Sequence, residues 1–451
     1  MVLVMMIFMI KSYLFAQSSQ NVISQGFFAN VVGVDATVAD IWGYTDSEGR
    51  EYAIFAVESG VRIVDITVPS HSKEVAFVAG QKSLWHDVKV FKHYAYSVVD
   101  VHGSQGLQII DLSDLPHRVR LVRTVTEGGI GMVHNIFIDP ARELLFLLNE
   151  REGVHIMSLK DPANPEELVL LKVRTHDAFA RGNTLILATG TSKDFLIYDI
   201  SIPSNPVLTG SFVTGDNAYA HQPYLSTDGK TLFTTEEERG ITFKAWNFTR
   251  PDSITREASL LGEYLAAKDY IVHQTIIKGD VAFLSHYGMG LRIVDVSDPS
   301  NMKEMGYHRP YNISADENGG YNGNWGAYVF QSGTIIHTAN PGVGFYIVKG
   351  GDAIEKKAKI GKYDPETFWR ENNTPFTLKV ISYNKNQVKF TPPLEKDYYA
   401  RIYSMAGQEV IGFTGRGDGQ QIKTLNIANG YYILNLKQGE ATYMGRVVIG
   451  K

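Results

Sequence analysis

Five of the 13 histidines recur at a near-constant spacing: His86, His134, His176, His221 and His273, separated by 48, 42, 45 and 52 residues. Each is followed by a short polar residue, in the series Asp87, Asn135, Asp177, Gln222, Gln274. A second set runs in step with them: Glu58, Asp100, Glu150, Glu237 and His286. Imidazoles and carboxylates gathered at one place are donors for a divalent iron, copper, zinc or manganese ion. Carboxylates behind the rings would orient them. An ion held this way could supply a bound water as nucleophile or an open position for oxygen. The same row of imidazoles has two other readings. It could bridge neighbouring elements by hydrogen bonds, as buried polar groups must, or line a mouth that takes an organic ligand. In the first and last repeats the slot is filled by Trp42-Gly43 and Trp325-Gly326, which read as packing or, less simply, as an aromatic platform for a ligand.

The elements that must position these residues are also repeated. An apolar-alternating segment recurs at 60–65, 106–111, 153–158, 194–199, 240–246, 290–295 and 344–349. The period is about 40–55 residues, the range of repeat architectures. Each unit holds four strand-like pieces; in the second unit these are 85–91, 94–99, 107–112 and 119–125. Four short strands per unit, separated by Gly, Asp, Ser or Pro, define the blade of a β-propeller. The fold expected is all-β: a seven-bladed propeller over 17–350 followed by a small antiparallel β-sandwich over 376–451, joined by a charged linker at 351–375. The seventh unit lacks a fourth strand, and 27–34 is a spare one, so the N-terminal strand is expected to complete the last blade and hide its edge. Asp65, Asp111, Asp199 and Asp295 end the third strands and read as turn residues whose side chains accept local N–H groups.

In such a ring the first strand of each blade lines the axis. Its start lies on the same face as the end of the second strand, so the His and carboxylate sets should meet at one mouth. Alternate residues of a strand face opposite ways. By that rule either the His row or the Asp/Asn/Gln row is expected to face the axis, but not both.

Composition narrows the function. The 451 residues carry a formal charge of −5 with no basic run, which argues against nucleic acid as a partner. There is no cysteine, so disulfides, thiolate metal sites and a cysteine nucleophile are excluded. No serine-hydrolase elbow, zincin helix, phosphate loop or dinucleotide fingerprint is present. Residues 1–16 read as an export signal with Ala16 before the cut. No other segment is long and apolar enough to be a transmembrane helix.

Several stretches resemble a known family. Residues 41–52, the His-Asp/Asn/Gln series, Gly290-Leu-Arg-Ile-Val-Asp295 and 322–328 resemble the choice-of-anchor B family, extracellular propellers with LVIVD-type repeats. The likeness covers roughly 25–350 and implies no settled activity. Residues 400–410, 425–434 and 445–451 resemble the type IX secretion sorting domain of the Bacteroidota. That resemblance implies export through the periplasm, recognition of 376–451 by the type IX machinery, and a secreted or outer cell-surface location. The expected activity is binding of an extracellular glycan, protein or small molecule at the mouth. The alternatives are a metal-dependent oxidative or hydrolytic enzyme and a structural matrix or adhesion component.

Overall fold

The computed structural model describes residues 18–29, 37–101, 105–215, 218–255, 259–340 and 344–360, together with the strands and some turns of 376–449. The expected export signal at 1–16, residues 30–34 of the spare strand and 361–375 of the linker lie outside the described residues.

Seven antiparallel sheets of four strands follow one another along the chain, each running from an inner to an outer strand. The inner strands are Val38–Thr45, His86–Phe91, Asn135–Asp139, Asp177–Arg181, Ala220–Leu225, Gln274–Lys278 and Ala327–Val329. The period-two pattern of each central strand explains how the sheets stack. In blade one, Tyr52, Ile54 and Ala56 pack towards Val88, Ala95 and Ile110 of blade two. The intervening Ala53, Phe55 and Val57 pack towards Ile336, Phe345 and Ile347 of blade seven. Every pair of adjacent blades encloses such a cluster, including the pair that closes the ring. Each fully buried Leu, Ile, Val or Phe in them stabilises by about 1.5–3 kcal/mol.

The fourth strand of the seventh blade is Val22–Ala29, paired antiparallel with Gly344–Gly350. It begins five residues earlier than the alternation at 27–34 suggests. Ahead of it, Ser18–Gln20 pairs with Lys303–Arg309 as a fifth strand on blade six. Asn21 turns between the two strands with φ 54°, and its side chain donates to Met305 O at 2.7 Å. The chain start therefore clasps two blades. The beginning of the expected linker is ordered as well. Asp352–Ala358 forms a short helix whose Ile354 and Ala358 are buried in the cluster between blades six and seven.

The third-strand aspartates act as turn residues. The Asp65, Asp111, Asp199 and Asp295 carboxylates accept from the N–H two residues on, at 2.7–3.0 Å. The described residues of 376–449 form a separate unit of one five-stranded and one three-stranded sheet around Val388, Phe390, Ile402 and Leu434. All pairings in it are antiparallel except that of Phe376–Thr377 with Ala441–Ile449. Among the described residues, no helix is long and apolar enough to cross a membrane.

Phe28 anchors the closing strand, stacking on Phe345 at 5.4 Å and edge-on to Phe55 at 5.9 Å. Phe28→Ala should cost roughly 2–3 kcal/mol, below the full cost for a wholly buried ring because Phe28 is half-buried. Ile23→Ala, on the exposed side of the same strand, should stay within about 0.5 kcal/mol. Urea denaturation of the two variants tests this; equal losses would contradict the clasp.

Candidate functional site

The inner strands bring three layers of side chains to the axis. The innermost positions of the polar layer are Asp40, Asp87, Asn135, Asp177, Gln222 and Gln274, with Gly326 in the seventh place. A Cβ on Gly326 would lie 2.3 Å from Asp40 Oδ1, so the carboxylate of blade one occupies the space that blade seven leaves open. Two positions further along the strands come Trp42, Lys89, Phe137, Phe179, Tyr224 and Tyr328. They form an aromatic layer with ring separations of 4.9 Å for Trp42–Tyr328, 5.2 Å for Phe137–Phe179 and 4.6 Å for Phe179–Tyr224. Above the polar layer sits the His row.

Both the His row and the polar row reach the axis. His86, His134, His176, His221 and His273 line one cavity together with Asp40, Asp87, Asn135, Gln274 and Trp325. The alternation rule does not forbid this, because His134, His176 and His273 each stand one residue before their strand begins. The polar row bridges the blades, and two of the imidazoles do so as well, His134 to Asp100 and His273 to Trp325 O. Ile136 N–H donates to Asp87 Oδ2 at 2.6 Å, and Thr275 N–H donates to Gln222 Oε1 at 2.7 Å. Lys89 Nζ bridges Asp40 at 2.6 Å and Asp87 at 2.5 Å and lies 5.0 Å from the Trp42 ring. Burial works against the Lys89 charge, but the two carboxylates outweigh it and hold its pKa above the ordinary value.

Four imidazoles form a continuous row. Ring centroids are 4.3 Å apart for His134–His176, 4.4 Å for His176–His221 and 4.4 Å for His221–His273. His273 Nδ1–H donates to Trp325 O at 2.6 Å, which leaves Nε2 with its lone pair. His134 Nδ1–H donates to Asp100 Oδ2 at 2.9 Å with the same result. Carboxylates from the ends of the second strands meet the row. Glu150 Oε1 is 3.9 Å from His176 Nε2. Glu237 lies 3.7 Å from His221 Nε2 and 3.5 Å from His273 Nε2. Ligand atoms of His134, Glu150 and His176 lie within 4.8 Å of one another, as do those of His176, His221 and Glu237. The carboxylate side opens to solvent, with the Glu150 side chain 42% and the Glu237 side chain 16% exposed.

Electrostatics keep most of the row neutral. Burial first, then the neighbouring imidazoles, hold the pKa values of His176 and His221 well below the usual range. Burial pushes His273 down to about 3. His134 goes the other way: burial opposes its charge, but the Asp100 hydrogen bond and the charges of Glu150, Asp100 and Glu237 raise its pKa. Burial lifts Glu237 to about 7, although the Tyr287 hydrogen bond and His134 pull it down. Neutral imidazoles beside carboxylates, with His273 Nε2 left free by the bond to Trp325 O, are ready to ligate a divalent ion.

The remaining sequence-selected residues are placed differently. His86 directs Nε2–H to Gln81 O at 2.8 Å and stands outside the stacked row. Glu58 pairs with Lys82 at 3.1 Å. His286 is fully buried, and burial pushes its pKa down to about 3. Trp325 borders the cavity in the expected slot, whereas Trp42 lines a second cavity with Lys89, Phe137 and Tyr224. In blade one the slot belongs to Ala39-Asp40, which the likeness of Trp42-Gly43 to Trp325-Gly326 obscures.

Two phenols escaped the repeat pattern. Tyr219 Oη donates to Glu150 Oε1 at 2.5 Å, and Tyr287 Oη donates to Glu237 Oε1. Tyr219 stands two residues before His221, off the repeat's phase, whereas Tyr287 takes in blade six the register position that Glu150 and Glu237 take in theirs, one residue after His286. An aromatic residue beside each marked position is the one sequence signal that could have found them.

The fold and axial row define a β-propeller with a polar mouth. Solved structures similar to the chain include two propeller-sized chains, of which the first supports the fold. The WD40 β-propeller domain of Doa1 superposes with a TM-score of 0.51 at 12% identity, covering 74% of this chain and 98% of that one. The computationally designed Ika8 protein gives 0.47 at 9% identity, covering 72% and 99%. No curated protein matches the chain in sequence. The LVIVD-repeat family matches residues 190–214 and 272–308, and the secretion system C-terminal sorting domain matches 382–450. The chain is a β-propeller that carries LVIVD repeats and a type IX secretion sorting domain, and the latter indicates secretion to the cell surface or the exterior.

Glu237 provides a test of the electrostatics. Its raised pKa means that its contribution to stability is full below its ordinary value of 4.5 and is lost as the pH rises through about 7, where the folded state must ionise a buried group. With chelator present, Glu237→Gln should match the wild type near pH 4 and exceed it at pH 8 by roughly 2–3 kcal/mol. Urea denaturation at the two pH values measures the gap; a pH-independent gap would contradict the assignment.

Proposed function

We propose that this exported propeller binds a divalent transition-metal ion at its axial mouth, through Nε2 atoms of the His row and the carboxylates of Glu150 and Glu237. The observation that carries the reading is the convergence of Nε2 and carboxylate oxygens in sets whose members lie within 4.8 Å of one another. Two features support it. The outer ring nitrogens of His134 and His273 are anchored by Asp100 and Trp325 O, the arrangement that fixes the tautomer of ligating histidines. The carboxylate side of the row opens to solvent, with the Glu150 side chain 42% and the Glu237 side chain 16% exposed, so an ion can reach it. Imidazole with carboxylate suits zinc, iron, copper or manganese. The export signal at 1–16 would deliver the chain to the periplasm, and the sorting domain would carry it across the outer membrane. The metal site would then face the extracellular medium, where an open coordination position could take a small ligand.

The experiment uses the full chain purified without a His tag. Metal at about 100 times its dissociation constant should stabilise the protein by about 2.7 kcal/mol. Melting after addition of Zn²⁺ or Mn²⁺ to chelator-treated protein, together with elemental analysis, provides the measurement. His221→Ala should weaken binding at least tenfold without unfolding the ring. A melting temperature indifferent to every divalent ion, in protein free of metal, would overturn the reading.

A further inference from the structure

The row of imidazoles is not uniform around the axis, and its irregularity has a pattern. A carboxylate at the end of a blade's second strand stands between the imidazole of its own blade and that of the next. Glu150 of blade three stands between His134 and His176. Glu237 of blade five stands between His221 and His273, 3.7 and 3.5 Å from their Nε2 atoms. Blade four, between them, supplies no carboxylate at this position. It has Gly190, with φ 62°, and a Cβ there would come within 2.8 Å of Tyr219 Oη. The space is thus given to a phenol that donates to Glu150. Tyr287 occupies the corresponding place beyond Glu237 and donates to it in the same sense.

The two places are alike but not identical: Glu150 groups with His134 and His176 within 4.8 Å, whereas Glu237 lies 3.7 and 3.5 Å from the Nε2 atoms of His221 and His273 and groups within 4.8 Å with His176 and His221, each carboxylate also accepting from a phenol. We propose that the mouth holds a pair of divalent transition-metal ions, one in each His–Glu–His set. The inference rests on the metal-binding reading above and extends it from a site to a two-ion centre. The donor count fits. Two ions at three protein ligands each need six donors, and His134, Glu150, His176, His221, Glu237 and His273 supply six. Three protein ligands per ion leave positions open for water or substrate. The two sets are adjacent, with the His176 and His221 rings 4.4 Å apart. Two ions so placed could clamp both oxygens of one small anionic group, the use to which paired ions are commonly put. A single central ion is the competing arrangement, with His176 joining His221 and Glu237.

Counting ions separates the two. Full-chain protein without a His tag is stripped with chelator, reloaded with Zn²⁺ and separately with Co²⁺, desalted, and analysed for metal per chain. Two ions per wild-type chain are expected. Glu150→Gln and Glu237→Gln should each retain one, and the double variant none, with circular dichroism confirming the fold of each. Glu150 is half-exposed, so its variant keeps the test open if Glu237→Gln misfolds. One ion per wild-type chain, unaffected by Glu150→Gln and lost in Glu237→Gln, overturns the pair but leaves the metal-binding reading standing. No ion in folded wild-type protein overturns both.

Discussion

The account depends on how neighbouring inner strands satisfy one another's polar groups. Seven strands converge on one axis, and their backbone and side-chain donors are too crowded there to be left to water. Asp87 and Gln222 reach across to the next blade and accept its N–H groups. Trp325 O accepts from His273 Nδ1 across the last such gap. Once these bonds are made, the Nε2 edges of His176, His221 and His273 are what the carboxylates at the ends of the second strands meet. Buried polar groups must find partners, and here that requirement turns the rings outward.

Charge is arranged by depth. The interior of the axis carries its own cation: Lys89 sits between Asp40 and Asp87, two carboxylates that would otherwise repel. The upper layer has no such internal partner. His176, His221 and His273 are held neutral by burial, and Glu237 is pushed towards protonation. A site that depresses its bases and raises its acid disfavours charge of either sign through burial, so its imidazoles are neutral donors. A divalent ion bound there would displace the carboxyl proton of Glu237. The lower ring is therefore structural, and the upper one is suited to a ligand.

Much of the fold was legible because the repeat is. The alternating third strands counted the blades, the spare N-terminal strand announced a clasp, and the third-strand aspartates proved to be turn formers. The sorting domain was legible from three short stretches. The clasp starts at Val22 and leaves Gln25 unpaired between Ser24 and Gly26, an irregularity that alternation cannot show. In the site, the periodic histidines could be read but their orientation could not. The rule that alternate residues face apart holds inside a strand, and three of the histidines stand just ahead of one. Asp40 was passed over because blade one lacks a histidine beside it, and Trp42 drew the eye instead. Tyr219 lies off the repeat's phase and Tyr287 stands one residue past His286, and only the folded ring shows that they fall beside Glu150 and Glu237.

The most direct measurement is anomalous diffraction at the absorption edge of the bound metal, from crystals of the full chain loaded with that ion. The account predicts scattering peaks on the propeller axis about 2.0–2.2 Å from histidine Nε2 atoms and from a carboxylate oxygen of Glu150 or Glu237. Peaks confined to other surfaces, with the His row intact and nothing bound to its Nε2 atoms, would contradict it.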